Sequence, residues 1–167
     1  MSKLRRIKEP YSVYFITSVT FNRHPILIDN EKLLLASFEF VKTLYQIELK
    51  AWVILPDHFH LLIESNDLDV SDIMRRIKTK FSGLYRSQLK LTEGRLWQHR
   101  FWDHAIRDET EFRTHFDYIH YKPVKHGLVN NPFQYKHSSI HKYLEQGYYQ
   151  ADWGVNDPIG TITGFGE

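Results

Sequence analysis

The sequence predicts an α+β fold, an antiparallel sheet with helices on one face. Three observations carry that reading. Stretches rich in β-branched and aromatic residues take turns with stretches whose apolar residues return every three or four positions. They follow the order strand, helix, strand, strand, helix, strand, helix. The two middle strands are separated only by a tight connection at Pro56 and Asp57.

The first strand is YSVYFITSVTFNRHPIL, Tyr11 to Leu27, aromatic and β-branched with a turn near Asn22. Asp29 or Asn30 then offers an N-cap to EKLLLASFEFVKTLYQIEL, where Leu33, Leu34, Phe38, Val41, Leu44 and Tyr45 fall at helical steps. KAWVILPDHFHLLIES supplies the middle strand pair. The second helix, IMRRIKTKFSGLYRSQLK, sets Ile73, Ile77, Phe81 and Leu84 on one face and Arg75, Arg76, Lys78, Lys80 and Arg86 on the rest. Arg95 to Arg107 reads as a further strand, and Asp108 with Glu111 makes a capping-box-like start for a third helix, which Pro123 should end. Lys3, Arg5, Arg6 and Lys8 form a short basic arm, either reaching a groove or simply solvated, and the tail after Asp152 reads as weakly ordered.

Composition narrows the function classes. A chain of 167 residues that is 42% hydrophobic suits one domain, 1–167, with its own core. No apolar run approaches the roughly 18 to 20 residues that span a bilayer, and MSKLRRIKEP lacks the apolar stretch of a secretory signal, so a cytoplasmic location is expected with no membrane partner. Without cysteine, thiolate metal sites and cysteine nucleophiles are excluded, and any metal must sit on histidine, carboxylate, amide or water. A net charge of +2 is too small to establish a nucleic-acid partner by itself.

Three constellations carry chemistry. In DHFHLLIE, strand alternation sends His58, His60, Leu62 and Glu64 to one face and Phe59, Leu61 and Ile63 to the other, so two imidazoles can share one ion on the sheet's open face. The pattern is short, and two half-exposed strand histidines would look the same. In ETEFRTHFDYIHYKP, Phe112, Phe116 and Ile119 define a core stripe, with Tyr118 on its border beside Glu111, His115 and Lys122. Tyr118 is either a boundary packing residue or a nucleophile leaning over the sheet, and Tyr121 is the competing tyrosine. Between Arg95 and Arg107, Arg95, Arg100 and Arg107 alternate among Trp97, Phe101 and Trp102. Cations interleaved with aromatics suit single-stranded nucleic acid, where phosphates want charge and unstacked bases want flat partners.

LPDHFHLLIE, LWQHRFWDHAIRDE and DYIHYKPVKHGLV together resemble the REP-associated tyrosine transposases, single-tyrosine relatives of insertion-sequence transposases within the HUH nucleases. The similarity runs from about Tyr11 to Gly154. It implies a ferredoxin-like antiparallel sheet with helices on one face and a C-terminal tyrosine-bearing helix. It further implies His58 and His60 as ligands of a divalent ion, magnesium or manganese, and Tyr118 as nucleophile. The family pattern reads Tyr-Ile-His-Tyr-Asn-Pro-Val, whereas here the asparagine position is Lys122. An ammonium has no lone pair for a metal. Either another group such as Glu64 or water completes the shell, or metal binding is weakened.

The function implied is cleavage and rejoining of single-stranded DNA beside REP-type hairpins through a 5'-phosphotyrosine, by a monomer, with a dimer as the alternative. Arg75, Arg76, Lys78 and Lys80 are candidates for phosphate contacts, and Trp97 or Trp102 for stacking. A hairpin-binding protein that keeps the fold but no longer cuts is the second reading. A metal-dependent hydrolase acting on something other than DNA ranks last, because it explains neither the tyrosine nor the basic aromatic segment.

Overall fold

The alternation along HFHLLIES builds a strand with two unlike faces, and the rest of the molecule is arranged to cover both. In the computed structural model, which describes residues 12–65 and 69–155, this strand is β3, His58–Ser65. It pairs antiparallel with β1, Ser12–Val19, in a register that sets Thr17 opposite His60, and with β2, Glu48–Ile54, which sets Val53 opposite His60. A short edge strand β4, Trp102–Ala105, pairs with β1, giving the order β2-β3-β1-β4. That is the order of a ferredoxin-like sheet.

Phe59, Leu61 and Ile63 join Tyr14 and Ile16 on one face, under helices α1, Glu31–Tyr45, and α2, Val70–Leu89. The two helices therefore share a face, held by Leu34, Phe38, Val41, Ile73, Ile77 and Phe81. The opposite face carries Phe15, Ala51, Val53 and Leu62, and the tyrosine-bearing helix α3, Glu109–Lys125, packs Phe116, Tyr118 and Ile119 against it. Tyr135, Tyr149 and Ile140 of a further helix α4, Ile140–Glu145, complete that second core. The face expected to be open around the histidines is thus roofed, and both imidazoles are buried.

Several local readings change. The turn at Asn22 forms, with both Asn22 and Arg23 in the left-handed region at φ 52°. Asn30 sits at the N-cap of α1, but its amide donates back to the Ile26 carbonyl at 2.7 Å instead of capping. The strand expected over Arg95 to Arg107 is real only at Trp102–Ala105. Before it, Trp97 leaves the sheet's alternation and packs edge-on against Phe59 and Phe81, at 5.7 and 5.3 Å between ring centres. Pro123 does not end α3, which runs on to Lys125. A proline this close to the C-terminus forfeits one intrahelical bond, and the His126 and Leu128 N–H groups secure the last turn by donating to the Lys122 and Pro123 carbonyls at 3.0 Å each. The start of α3 is as expected, with Asp108 accepting from the Glu111 N–H at 2.8 Å. The basic arm and the end of the tail, 156–167, lie outside the described residues, and α4 had no counterpart in the sequence reading.

Candidate active site

His58 opens β3 immediately after Asp57, and this adjacency fixes its tautomer. The Asp57 carboxylate faces His58 Nδ1 at 2.6 Å, and Arg23 donates to the other carboxylate oxygen at 3.2 Å. A carboxylate accepts only, so Nδ1 carries the proton and Nε2 presents a lone pair. His60 Nδ1 lies 2.8 Å from the Thr17 hydroxyl across the β1–β3 register. Both Nε2 atoms are buried and have no hydrogen-bond partner among the described residues. Burial lowers the pKa of His58 and holds His60 well below the usual imidazole range, so both rings are neutral. Their centres are 5.1 Å apart.

Tyr118 reaches the same corner from α3. It is 2% exposed and meets the His60 and Phe15 rings edge-on at 6.0 and 6.1 Å. One turn later Lys122, 0% exposed, donates from Nζ to the Tyr118 hydroxyl at 2.5 Å. Burial pushes the phenol up to about 12. Burial, with Lys125 and Arg23 nearby, pushes the Lys122 amine down to about 7. His126 closes the site against His58 at 5.2 Å between ring centres, its imidazole pushed down to about 4, mainly by burial. A cavity of about 280 Å³ opens beside His58, lined by Arg23, Pro25, Leu55, Pro56, Asp57 and His126 among others.

The remaining sequence candidates divide sharply. Glu64 shares the face of His60 but stands four residues further along β3, roughly 13 Å at strand spacing, and pairs with Lys50 at 2.7 Å. It does not complete the site. Tyr121 turns away toward Trp153, 6.4 Å between ring centres. His115 lies one turn before Tyr118, tilted against Phe15 and stacked on His104. Among the described residues, no three His, Asp or Glu side chains converge to hold an ion. The two Nε2 atoms fit two positions of a divalent metal, and Lys122 stands where a third donor was expected.

On the other side of the molecule, Lys78, Arg86, Arg95 and His99 line a groove of about 460 Å³ between α2 and residues 95–99. Lys78 donates to the Gln98 carbonyl at 3.1 Å and Arg95 to the Trp97 carbonyl at 3.0 Å. Burial and Arg95 bring the Lys78 amine down to about 8. Arg75 and Arg76 instead pair with Asp72, Lys80 lies over the Phe40 ring, and Arg107 pairs with Glu111. Arg100 is exposed. Trp97, at 7% exposure, is core and cannot stack on a base, whereas Trp102 on the edge strand is 39% exposed and stacks on His104. Sequence reasoning missed Thr17, Arg23, Asp57 and His99, and placed Arg86 on the basic side of the second helix without making it a phosphate contact. Only Asp57, next to His58, left a local sign.

The chain matches the family model described as "Transposase IS200 like" over residues 11–122. It is 34% identical over 168 residues to the REP-associated tyrosine transposase of Escherichia coli strain K12, covering 99% of this chain and 95% of that protein. It is also 34% identical over 170 residues to a Haemophilus influenzae protein assigned as a REP-associated tyrosine transposase, covering 95% of this chain and 97% of that protein. A solved REP-associated tyrosine transposase bound to a REP hairpin superposes with a TM-score of 0.81 at 33% identity, over 100% of this chain and 98% of that one. A Deinococcus radiodurans structure described as a transposase shares the fold alone, with a TM-score of 0.51 at 23% identity over 68% of this chain and 92% of that one. With a tyrosine and two neutral imidazoles gathered in one buried corner of a ferredoxin-like sheet, and with these relatives matched along nearly its whole length, the chain belongs to the REP-associated tyrosine transposases of the IS200-like family.

Proposed function

We propose that this protein cuts and rejoins single-stranded DNA beside REP-type hairpins, with Tyr118 as the nucleophile and a 5'-phosphotyrosine as the intermediate. The observation that carries the reading is the meeting of the Tyr118 ring with His60, whose Nε2, like that of His58, is buried without a partner. The solved relative bound to a REP hairpin supports the choice of DNA.

His58 and His60 would hold a divalent ion, magnesium or manganese, through Nε2, and such an ion neutralises charge on a non-bridging phosphate oxygen. The chain's own groups do the rest. Asp57 keeps His58 in the ligating tautomer. Tyr118 Oη loses its proton and bonds to phosphorus, while the bond from phosphorus to the 3'-oxygen breaks and that oxygen leaves as a hydroxyl. Attack by another 3'-hydroxyl reverses the step and rejoins strands, since the aryl phosphodiester conserves the bond energy. Tyr118 faces histidines of its own chain, which supports a monomer. The groove of Lys78, Arg86 and Arg95 suits the phosphates of the hairpin stem, and exposed Trp102 suits an unpaired base.

A second reading, a hairpin-binding protein that no longer cuts, is favoured by Lys122 standing in place of a third metal donor. The two separate on one gel: end-labelled single-stranded REP hairpin oligonucleotide with manganese or magnesium, resolved in SDS. An adduct formed by wild type and Tyr121→Phe but not by Tyr118→Phe is expected. Tight hairpin binding with no adduct would sink the cutting reading.

A further inference from the structure

The turn after β1 holds two consecutive residues, Asn22 and Arg23, in the left-handed region, each at φ 52°. Asparagine tolerates that conformation, whereas arginine rarely adopts it, so the turn keeps Arg23 there at a cost in backbone strain. Its surroundings hold it in place. The Thr20 hydroxyl faces the His24 and Asp57 carbonyls at 2.8 and 3.0 Å, and the Thr20 and Phe21 N–H groups donate to the Asp57 and Leu96 carbonyls at 2.8 and 2.9 Å. The group so placed is a guanidinium lining the cavity of about 280 Å³ beside His58. Arg23 donates from Nη1 to Asp57 at 3.2 Å, but with the Arg23 side chain 51% exposed such an ion pair contributes little to stability. The contact with Asp57 alone does not account for a strained backbone. Building on the reading of this corner as the DNA-cutting site, we propose that Arg23 binds a phosphate of the single-stranded DNA entering the cavity beside His58 and so fixes the strand for attack by Tyr118.

The chemistry of the lining fits an anion held by that fork. A guanidinium carries five N–H donors in a plane, enough to keep Asp57 and still meet two phosphate oxygens, and it stays charged at any working pH. Among the described residues that line the cavity, Asp57 is the carboxylate, and both of its oxygens are already engaged, one by His58 Nδ1 and one by Arg23. The charge of Arg23 also acts on His58 and on Lys122, whose amine donates to the Tyr118 hydroxyl, so a phosphate on Arg23 lies close to the reacting groups. Held by Asp57 before DNA arrives, the guanidinium loses less freedom on binding than a loose surface arginine would. Asp57 thereby links two tasks, ordering the phosphate contact on one side and the tautomer of His58 on the other.

The test reads DNA binding, which needs neither metal nor cleavage. REP hairpin oligonucleotides with a single-stranded flank would carry one neutral methylphosphonate in place of a phosphate, at one flank position at a time. Affinities in EDTA would be measured for full-length wild type, Arg23→Gly and Arg23→Gln, with thermal midpoints and manganese adduct yields alongside. In wild type, neutralising one particular flank position is expected to weaken binding about 10-fold or more. Both variants should bind the unmodified oligonucleotide about that much more weakly and lose no more than about twofold further at that position. Arg23→Gly should keep its thermal midpoint within about 3 °C of wild type, because glycine relieves the left-handed strain. The same methylphosphonate loss in the variants as in wild type, or no sensitive flank position in wild type, would overturn the role of Arg23; an adduct from wild type would then leave Tyr118 cleavage standing. The expected coupling without any wild-type adduct would uphold the phosphate contact and sink the cutting reading instead. A collapsed thermal midpoint in both variants would reduce Arg23 to holding the turn and overturn the proposal.

Discussion

At the scale of single residues, burial sets the protonation of the side chains in the candidate site. His58 and His60 are neutral because a charged imidazole is disfavoured where they sit, and the Asp57 carboxylate then selects which nitrogen stays bare. Asp57→Asn keeps the shape but can turn an N–H toward His58, removing the constraint on its tautomer. Adduct rate measured against manganese concentration is expected to show a 10- to 100-fold weaker response, the usual cost of losing such a support. Glu111 is a second example, away from the site. Hydrogen bonds from His104 and Arg107 hold its carboxyl at about 2 against the cost of burial. A depressed carboxyl stabilises the fold above its unfolded pKa and loses that contribution as pH falls through the folded value. Glu111→Gln should therefore cost about 1 to 2 kcal/mol in urea unfolding at pH 7, with the deficit shrinking between about pH 4.5 and 2.

At the scale of elements, the placing of α3 decides whether Tyr118 meets the histidines. Phe116 and Ile119 supply the apolar contact, but a buried polar chain fixes the helix in place. His120 bonds Ser139 at 2.8 Å and the Tyr149 hydroxyl at 2.9 Å, and Tyr149 donates to Asp117 at 2.8 Å. Ser139 in turn bonds the backbone of Trp52 on β2, tying helix to sheet. Ser139→Ala leaves His120 and the Trp52 N–H buried without that partner. It is expected to lower stability by about 1 to 3 kcal/mol, read as a shift of the urea midpoint at unchanged slope. An unchanged midpoint would mean that apolar packing alone seats α3.

At the scale of the whole molecule, the candidate chemistry and the basic groove occupy different regions, one by His58 and the end of α3 and one between α2 and residues 95–99. That division suits a substrate with a duplex stem and a single-stranded flank. Arg86→Ala or Arg95→Ala should each weaken hairpin binding and reduce the slope of log affinity against log salt by about one unit. Arg75→Ala should change both little, because its guanidinium is committed to Asp72. Equal effects at all three positions would place the hairpin elsewhere.

Patterns of period two and 3.6 were sufficient for the order of the strands and the first three helices and for the face shared by His58 and His60, because these depend only on neighbours along the chain, whereas Tyr118, expected on the border of its helix's core stripe, is buried in the core under α3. The same patterns misjudged Arg95 to Arg107, where Trp97 abandons alternation to fill the core beneath α2, and left α4 unseen in a segment with no strong periodicity. They also suggested Glu64 as a ligand, since sharing a face says nothing of distance along the strand. Arg23 and Thr17 acquire their partners, Asp57 and His60, from 34 and 43 positions away along the chain. Residue identity and spacing determined which groups were available for chemistry. Only the tertiary structure decided which of them are dry, neutral and within reach of one another, because burial and proximity come from the packing of distant segments.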